Sequence, residues 1–94
     1  MNDFFEQLGK RWVDAVRRGG SEIDAPTMDA RIALELLELA RVAAHTRERR
    51  FAPLSCYLAG VAAERARASR PDFDDAHVAD LIKEVWKGLE AEAG

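Results

Sequence analysis

The stretch from Leu34 to Ala63 constrains the fold most strongly, because it has the pattern of two helices joined by a short basic turn. Pro53 suits the first position of the second helix, since a proline N1 residue sacrifices no hydrogen bond there. The first of the two helices carries a wide apolar face at helical spacing, formed by Ile32, Leu34, Leu36, Leu37, Leu39, Val42, Ala43 and Ala44. We therefore expect a helical hairpin that the remaining chain covers.

Large and small apolar residues occupy two neighbouring faces of the second hairpin helix. The larger set predicts the face that enters the core, and consists of Leu54, Tyr57, Leu58, Val61 and Ala62. The smaller set is typical of a face that another helix approaches closely, and consists of Cys56, Ala59, Gly60 and Ala63.

Helical patterns also occupy both ends of the chain. The first places Phe4, Phe5, Leu8, Trp12 and Val16 on one side and stops at two glycines. In the linker that follows, a lone Ile23 is expected to anchor the loop in the core.

The last helix has a clear start, because Asp74 suits the N-cap and the positions of Phe73 and Val78 suit a hydrophobic staple. Its apolar positions then follow helical spacing through Trp86 and Leu89. We expect both Trp12 and Trp86 to pack in the core.

These patterns predict an all-α fold, a small four-helix bundle with helices at about 3–18, 28–47, 53–69 and 74–91. No alternating apolar run indicates a strand. With 94 residues, the chain is expected to form a single helical domain, 1–94.

Composition excludes several classes of function. A net charge of −3 does not favour nucleic acid or an anionic membrane as partner, and no window is apolar for the ~18 residues that a membrane span needs. A single cysteine allows no internal disulfide, and the N-terminal residues lack a signal-peptide pattern. We therefore expect a cytoplasmic protein.

The basic turn is the candidate binding site. Arg41, His45, Arg49 and Arg50 lie on the end of one helix and just before the next, with Arg47 among them. Exposed N–H groups at a helix start, beside arginines, form an anion site. The alternative is that these cations complement the helix dipole, with Arg41 paired to Glu38 three residues earlier.

No residue pattern indicates catalysis. His45 has no second ligand at metal-binding spacing, and Cys56 lacks the surroundings of a catalytic cysteine. We expect no enzyme activity, no metal and no cofactor.

The central third of the chain resembles a known family. The run Leu36–His45, then Arg50, then the segment Ala52–Ala63 with its Ala-Pro-Leu start carry the likeness. They resemble short bacterial all-helical proteins of unknown function, which also occur fused to molybdenum-cofactor guanylyltransferases, the enzymes that make molybdopterin guanine dinucleotide. The family's His, Arg and Pro fall on His45, Arg50 and Pro53, without an established role. The resemblance implies an association with molybdenum-cofactor metabolism but no transferase activity, because 94 residues cannot hold that domain.

Two functions are compatible with these observations. The first is an accessory module that binds a protein partner or a second copy of itself, motivated by the broad apolar and small-residue faces of the hairpin. The second is a module that binds a phosphate-bearing small molecule, a nucleotide or pterin, at the basic turn.

Overall fold

The chain folds into α-helices joined by irregular connections, the longest of them residues 19–29. A computed structural model describes residues 3–93. Its helices are α1 (Asp3–Arg18), α2 (Ala30–Thr46), α3 (Phe51–Ser69) and α4 (Asp75–Ala93), and no strand occurs within residues 3–93. The predicted all-α class with four helices is confirmed. The predicted and observed helix ends differ by at most two residues. At the start of α3, this difference makes Pro53 the third residue of the helix instead of its first.

The chain divides into two compact units, one ending at Ala30 and one beginning at Arg31. In the first unit, α1 and the segment after it approach each other at Gly9, which is buried. A Cβ atom at this position would lie 2.7 Å from the carbonyl oxygen of Pro26, which is closer than real Cβ contacts allow. A glycine inside a helix lowers helix propensity, and here it permits the chain to return across α1.

Two apolar residues of the first unit differ from expectation. Ile23 is 44% exposed, so the prediction that it anchors the linker in a core is wrong. Trp12 is also exposed, unlike Trp86. The apolar spacing of α1 correctly indicated a helix, but spacing shows which residues share a side and does not show what covers that side.

Replacing Gly9 with alanine tests this close approach. Although alanine favours a helix by up to about 1 kcal/mol over glycine, we expect Gly9→Ala to lower the thermal midpoint, because the Cβ atom meets the Pro26 backbone. Gly88→Ala is the matched control in α4, where nothing lies within 4 Å of the added atom, and it should raise the midpoint. Equal stabilisation by both variants in a thermal melt would contradict the close approach.

The second unit has its own core, to which α2, α3 and α4 all contribute. The buried residues are Leu39, Val42, Ala63, Val78, Ile82 and Trp86, with Ile32, Leu36, Ala59 and Phe73 packed against them. From α3, the core takes only alanines. Its large residues point outward, with Tyr57 72% and Leu58 66% exposed.

The predicted core face of α3 is therefore wrong. From the small-residue face, Ala59 and Ala63 enter the core, because small side chains let the backbone of α3 come close to its neighbours, whereas Gly60 is exposed. Since α3 is apolar around most of its circumference, its periodicity does not distinguish the core side from the exposed side.

Side-chain bonds hold α2 beside α4. Arg31 binds Asp80 at 2.7 Å, and the indole Nε1 of Trp86 donates to Oε1 of Glu35 at 2.8 Å. Arg41 binds Glu90 at 3.0 Å. Because the partner numbers rise together along both helices, α2 and α4 run in the same direction, and α3 between them in the chain returns the opposite way.

The start of α4 matches its sequence signal. Oδ1 of Asp74 accepts the backbone N–H of His77 at 3.0 Å, and Nδ1 of His77 lies 3.3 Å from the backbone nitrogen of Asp74. The same Nδ1 lies 2.7 Å from Oδ1 of Asp74 and donates to this carboxylate when it carries the ring proton. Phe73 packs on the core to which Val78 belongs, which agrees with the predicted staple.

This cap predicts a pH-dependent contribution to stability. The pKa of Asp74 is lowered from its ordinary value of 3.8, first by the backbone N–H of His77 and then by its side chain. A lowered folded-state pKa stabilises the fold above the unfolded value, and this contribution disappears as pH falls through the folded one. We expect Asp74→Ala to lower the thermal midpoint at pH 7, and the difference from wild type to narrow progressively below pH ~4.

Asp74→Asn is the matched control for the cap. Asparagine keeps the acceptor for the His77 N–H but cannot titrate. Asp74→Asn should keep most of the wild-type thermal midpoint at pH 7. Its cap should contribute to stability without the dependence on acid pH that the Asp74 carboxylate gives. A wild-type minus Asp74→Ala difference that is unchanged from pH 7 to pH 2 would contradict the assignment.

Candidate functional site

The basic turn has its four candidate residues on the surface of the second unit. Arg41 and His45 are exposed on α2, and Arg49 and Arg50 are exposed in the connection to α3. None of them lines any of the three cavities described below. These three cavities therefore do not gather the candidate side chains, and the anion site stays a prediction.

Carboxylates already engage two of these arginines. Arg41 binds Glu38 at 3.2 Å and Glu90 at 3.0 Å, and these hydrogen bonds, Glu38 first, raise the pKa of the guanidinium above its ordinary value. The Nε of Arg50 lies 3.0 Å from Glu48. The Arg41–Glu38 pair is the one that the dipole-complement interpretation predicts.

The N-terminus of α3 offers few donors to an anion. The N–H of Phe51 donates to the carbonyl of Glu48 and that of Ala52 to the carbonyl of Arg49. The third residue, Pro53, has no N–H. A phosphate at this helix start would depend on the arginine side chains, because the backbone groups that usually bind anions there are already used or absent.

An apolar groove between α3 and α4 is the more developed surface feature. It encloses about 330 Å³, with Leu39 of α2 contributing to its wall. Its lining residues are Leu39, Ser55, Leu58, Ala59, Ala62, Leu81, Ile82, Val85 and Leu89. Of these nine, Ser55 alone has a polar side chain, so the groove suits an apolar occupant and offers few groups to orient a polar one.

The groove opens onto further exposed apolar residues. Leu58, Val85 and Leu89 line it and are themselves exposed. Leu54 and Tyr57 are also exposed on α3, but they do not line the groove. Apolar residues scattered singly over a surface are ordinary, whereas a contiguous group around a groove is typical of an interaction site.

Two further cavities lie elsewhere. One, of about 260 Å³, belongs to the first unit and is lined by Phe5, Glu6, Lys10, Ala25, Pro26, Thr27 and Met28. The other, of about 340 Å³, lies near the end of α4 and is lined by Thr46, Arg47, Leu89, Glu92 and Ala93. Neither gathers a set of convergent polar groups with a recognisable chemical role.

Cys56 sits at the junction of α3 and α2. Its Sγ lies 3.7 Å from the carbonyl oxygen of Leu36, and burial raises the pKa of the thiol above 9.0. A raised pKa lowers the thiolate fraction, which is the nucleophilic form. The geometry is that of a structural cysteine.

Metal binding and membrane insertion are two further properties to consider for residues 3–93. Within residues 3–93, no group of three or more histidine, cysteine, aspartate or glutamate side chains is arranged to hold a metal ion. Of the helices in that range, none combines the length and the apolar character that a membrane span requires.

Sequence reasoning missed the groove because it assigned the large residues of α3 to the core. A usable signal was present, since two apolar faces on one helix exceed what a single core contact can bury. Ala59 and Ala63 packed inside, and Leu58 was left to form part of the groove wall.

These features define a class of protein, a small all-α chain with an apolar groove on its second unit and a basic turn beside it. The chain belongs to the family described as a domain of unknown function, DUF6457, whose model matches residues 6–93. That range includes most of α1 and all of the other three helices. The resemblance to a family of unknown function is confirmed to this extent. No curated protein and no solved structure matches the chain.

Proposed function

We propose that this chain is a protein-interaction module, an accessory domain whose α3–α4 groove receives an apolar segment of a partner. The observation that carries the proposal is the groove of about 330 Å³ with apolar residues on its wall and rim. Its walls are rigid helices that pack on a shared core, so little ordering is needed on binding. A helix with apolar side chains at every third or fourth position is the partner segment that such a groove best accommodates.

The free energy of binding would come from burial of leucine side chains that are exposed in the free chain. Full burial of an exposed leucine contributes about 1.5–3 kcal/mol. Leu58 is partly covered already, and its remaining exposure supports a gain of roughly 1–2 kcal/mol on binding. Leu89 and Val85 add smaller amounts because less of each is exposed.

Molybdenum-cofactor metabolism is the proposed setting of this partner. The support is the resemblance of the segments around His45, Arg50 and Pro53 to a bacterial family that occurs fused to molybdenum-cofactor guanylyltransferases. In the fused proteins, the helical domain and the enzyme are held together covalently. In this setting, the groove would bind an apolar segment of the enzyme.

A single charge in the groove tests the proposed function. We expect Leu58→Asp to abolish retention of the partner when the chain is isolated gently from its own host and its complexes are weighed by native mass spectrometry. Because Leu58 is largely exposed, the thermal midpoint should change little. Ala76→Asp is the matched control, since it adds the same charge at an exposed position of α4 outside the groove.

Two results would contradict the proposed function. One is a bare chain with no associated protein at any isolation condition, and the other is partner retention that survives Leu58→Asp. The identity of a retained protein decides the setting, because an enzyme outside molybdenum-cofactor metabolism would remove that part of the proposal and keep the module.

A phosphate-bearing small molecule at the basic turn is the alternative function. Arg49 and Arg50 are both exposed, and the ion pair of Arg50 with Glu48 lies at the surface, where such pairs contribute little. A phosphate with two negative charges would compete with a single carboxylate for this arginine.

Thermal shift with phosphate-bearing probes tests this alternative. Pyrophosphate or guanosine triphosphate should raise the melting midpoint of the wild-type chain, and Arg50→Ala should abolish that rise without changing the midpoint of the unliganded protein. Arg18→Ala removes an exposed arginine from α1 and should leave the rise intact. An equal rise in the wild type and in Arg50→Ala would exclude Arg50 as a ligand.

A further inference from the structure

Arg50, the N-cap residue of α3, and two exposed residues of the helix recur at an interval of seven. Tyr57 follows Arg50 by seven residues and precedes Glu64 by seven. Seven residues are close to two helical turns, so the three side chains lie along one side of α3, at steps of about 10 Å. The side chains of Arg50 and Glu64 are 79% and 78% exposed. This side of α3 is therefore basic at one end, aromatic at the centre and acidic at the other.

We propose that a second copy of this chain docks on this side, with the two α3 helices antiparallel about a two-fold axis at Tyr57. An antiparallel pairing centred there opposes Arg50 of each copy to Glu64 of the other, since both lie seven residues from the centre. The contact is isologous and closes after two copies. It goes beyond the proposed function, because it uses a different side of α3 from the groove.

The apolar residues between the charges fit the same pairing. Leu54 precedes Tyr57 by three residues and Val61 follows it by four, and both lie to the same side of the Arg50–Tyr57–Glu64 line. Reversal of one helix brings Leu54 of one copy against Val61 of the other, twice. On the opposite side of the line lies Gly60, where an added Cβ would meet nothing within 4 Å, so the two backbones have room to approach.

Exposed leucines of α2 extend the surface. The contact of Cys56 with the carbonyl of Leu36 places this turn of α2 beside the turn of α3 that carries Tyr57. Leu37 and Leu34 are both exposed. A stable interface buries about 800 Å² per partner, which is more than a single helix face supplies. The α2 leucines are the neighbouring residues that bring the contact toward that size.

Charge complementarity selects a second copy as the occupant. A different protein would need an acid and a base at just this separation, whereas the chain provides both itself. Within one copy, Arg50 pairs with Glu48 at 3.0 Å and Glu64 with Arg67 at 3.5 Å, both at the surface. Exposed pairs of this kind are weak, so exchanging them for pairs across a partly dehydrated interface costs little.

Sedimentation equilibrium of the purified full chain tests the pairing. The wild type should show a reversible monomer–dimer equilibrium between about 1 and 100 µM. Arg50→Glu should raise the dimer dissociation constant about tenfold or more, because it opposes two carboxylates at each end of the contact. Glu64→Arg should do the same. The double variant Arg50→Glu/Glu64→Arg should recover the wild-type constant within a few-fold.

Two sedimentation results would overturn the proposal. A wild-type chain that stays monomeric up to about 100 µM has no such dimer, even if it still retains a partner through the groove. A double variant that dimerises as weakly as the single variants would show that Arg50 and Glu64 do not meet. If Leu58→Asp no longer retains a partner but has the dimer dissociation constant of the wild type, the groove is affected and the pairing of α3 helices stands.

A cysteine at the axis gives a second test that does not depend on charge. In a Cys56→Ser background, Tyr57→Cys places one thiol on each side of the two-fold axis. When the axes of two packed helices are about 8–10 Å apart, the Cα atoms of the two residues 57 lie within the separation that a disulfide spans. Mild oxidation should give a covalent dimer on a non-reducing gel. Lys83→Cys, exposed on α4, is the control and should remain monomeric. Failure of Tyr57→Cys to cross-link faster than Lys83→Cys would overturn the axis.

Discussion

The close packing of α3 through alanine is the constraint on which the second unit depends. Ala63 is buried and Ala59 packs against the same core, facing larger residues from α2 and α4 such as Val42 and Ile82. Small side chains on one helix match large ones on its neighbours, which keeps the interior close to the density of a well-packed core. A consequence is that the leucines of α3 have no place inside and remain at the surface.

Polar bonds between α2 and α4 supplement that packing. The side chain of Trp86 is buried, and its indole N–H donates to the carboxylate of Glu35 at 2.8 Å. A buried indole N–H without an acceptor is costly, so Glu35 removes a penalty and also sets the register of the two helices. The ion pairs of Arg31 and Arg41 lie farther out, where solvent weakens them. Together they define one alignment of α2 beside α4.

The surface that results has two kinds of chemistry. Between α3 and α4 it is apolar and concave, and on the outer side of α3 it carries opposite charges at its two ends. Either feature on its own is common in small helical proteins. Both features arise because the alanine face of α3 packs toward the core. This orientation leaves Leu58 exposed toward the groove and Tyr57 exposed away from it.

Local patterns in the sequence were sufficient for the helices and for the start of α4. Glycine pairs, the Asp74 cap and the spacing of apolar residues act within a few residues of the chain, so the four helices and the Asp74–His77 cap followed from them. The exposure of Tyr57 and Leu58, the role of Gly9 and the engagement of Arg41 by Glu90 were decided by tertiary structure. Each depends on which distant residue lies opposite, and a helix that is apolar on two sides carries no local information about which side its neighbours will cover.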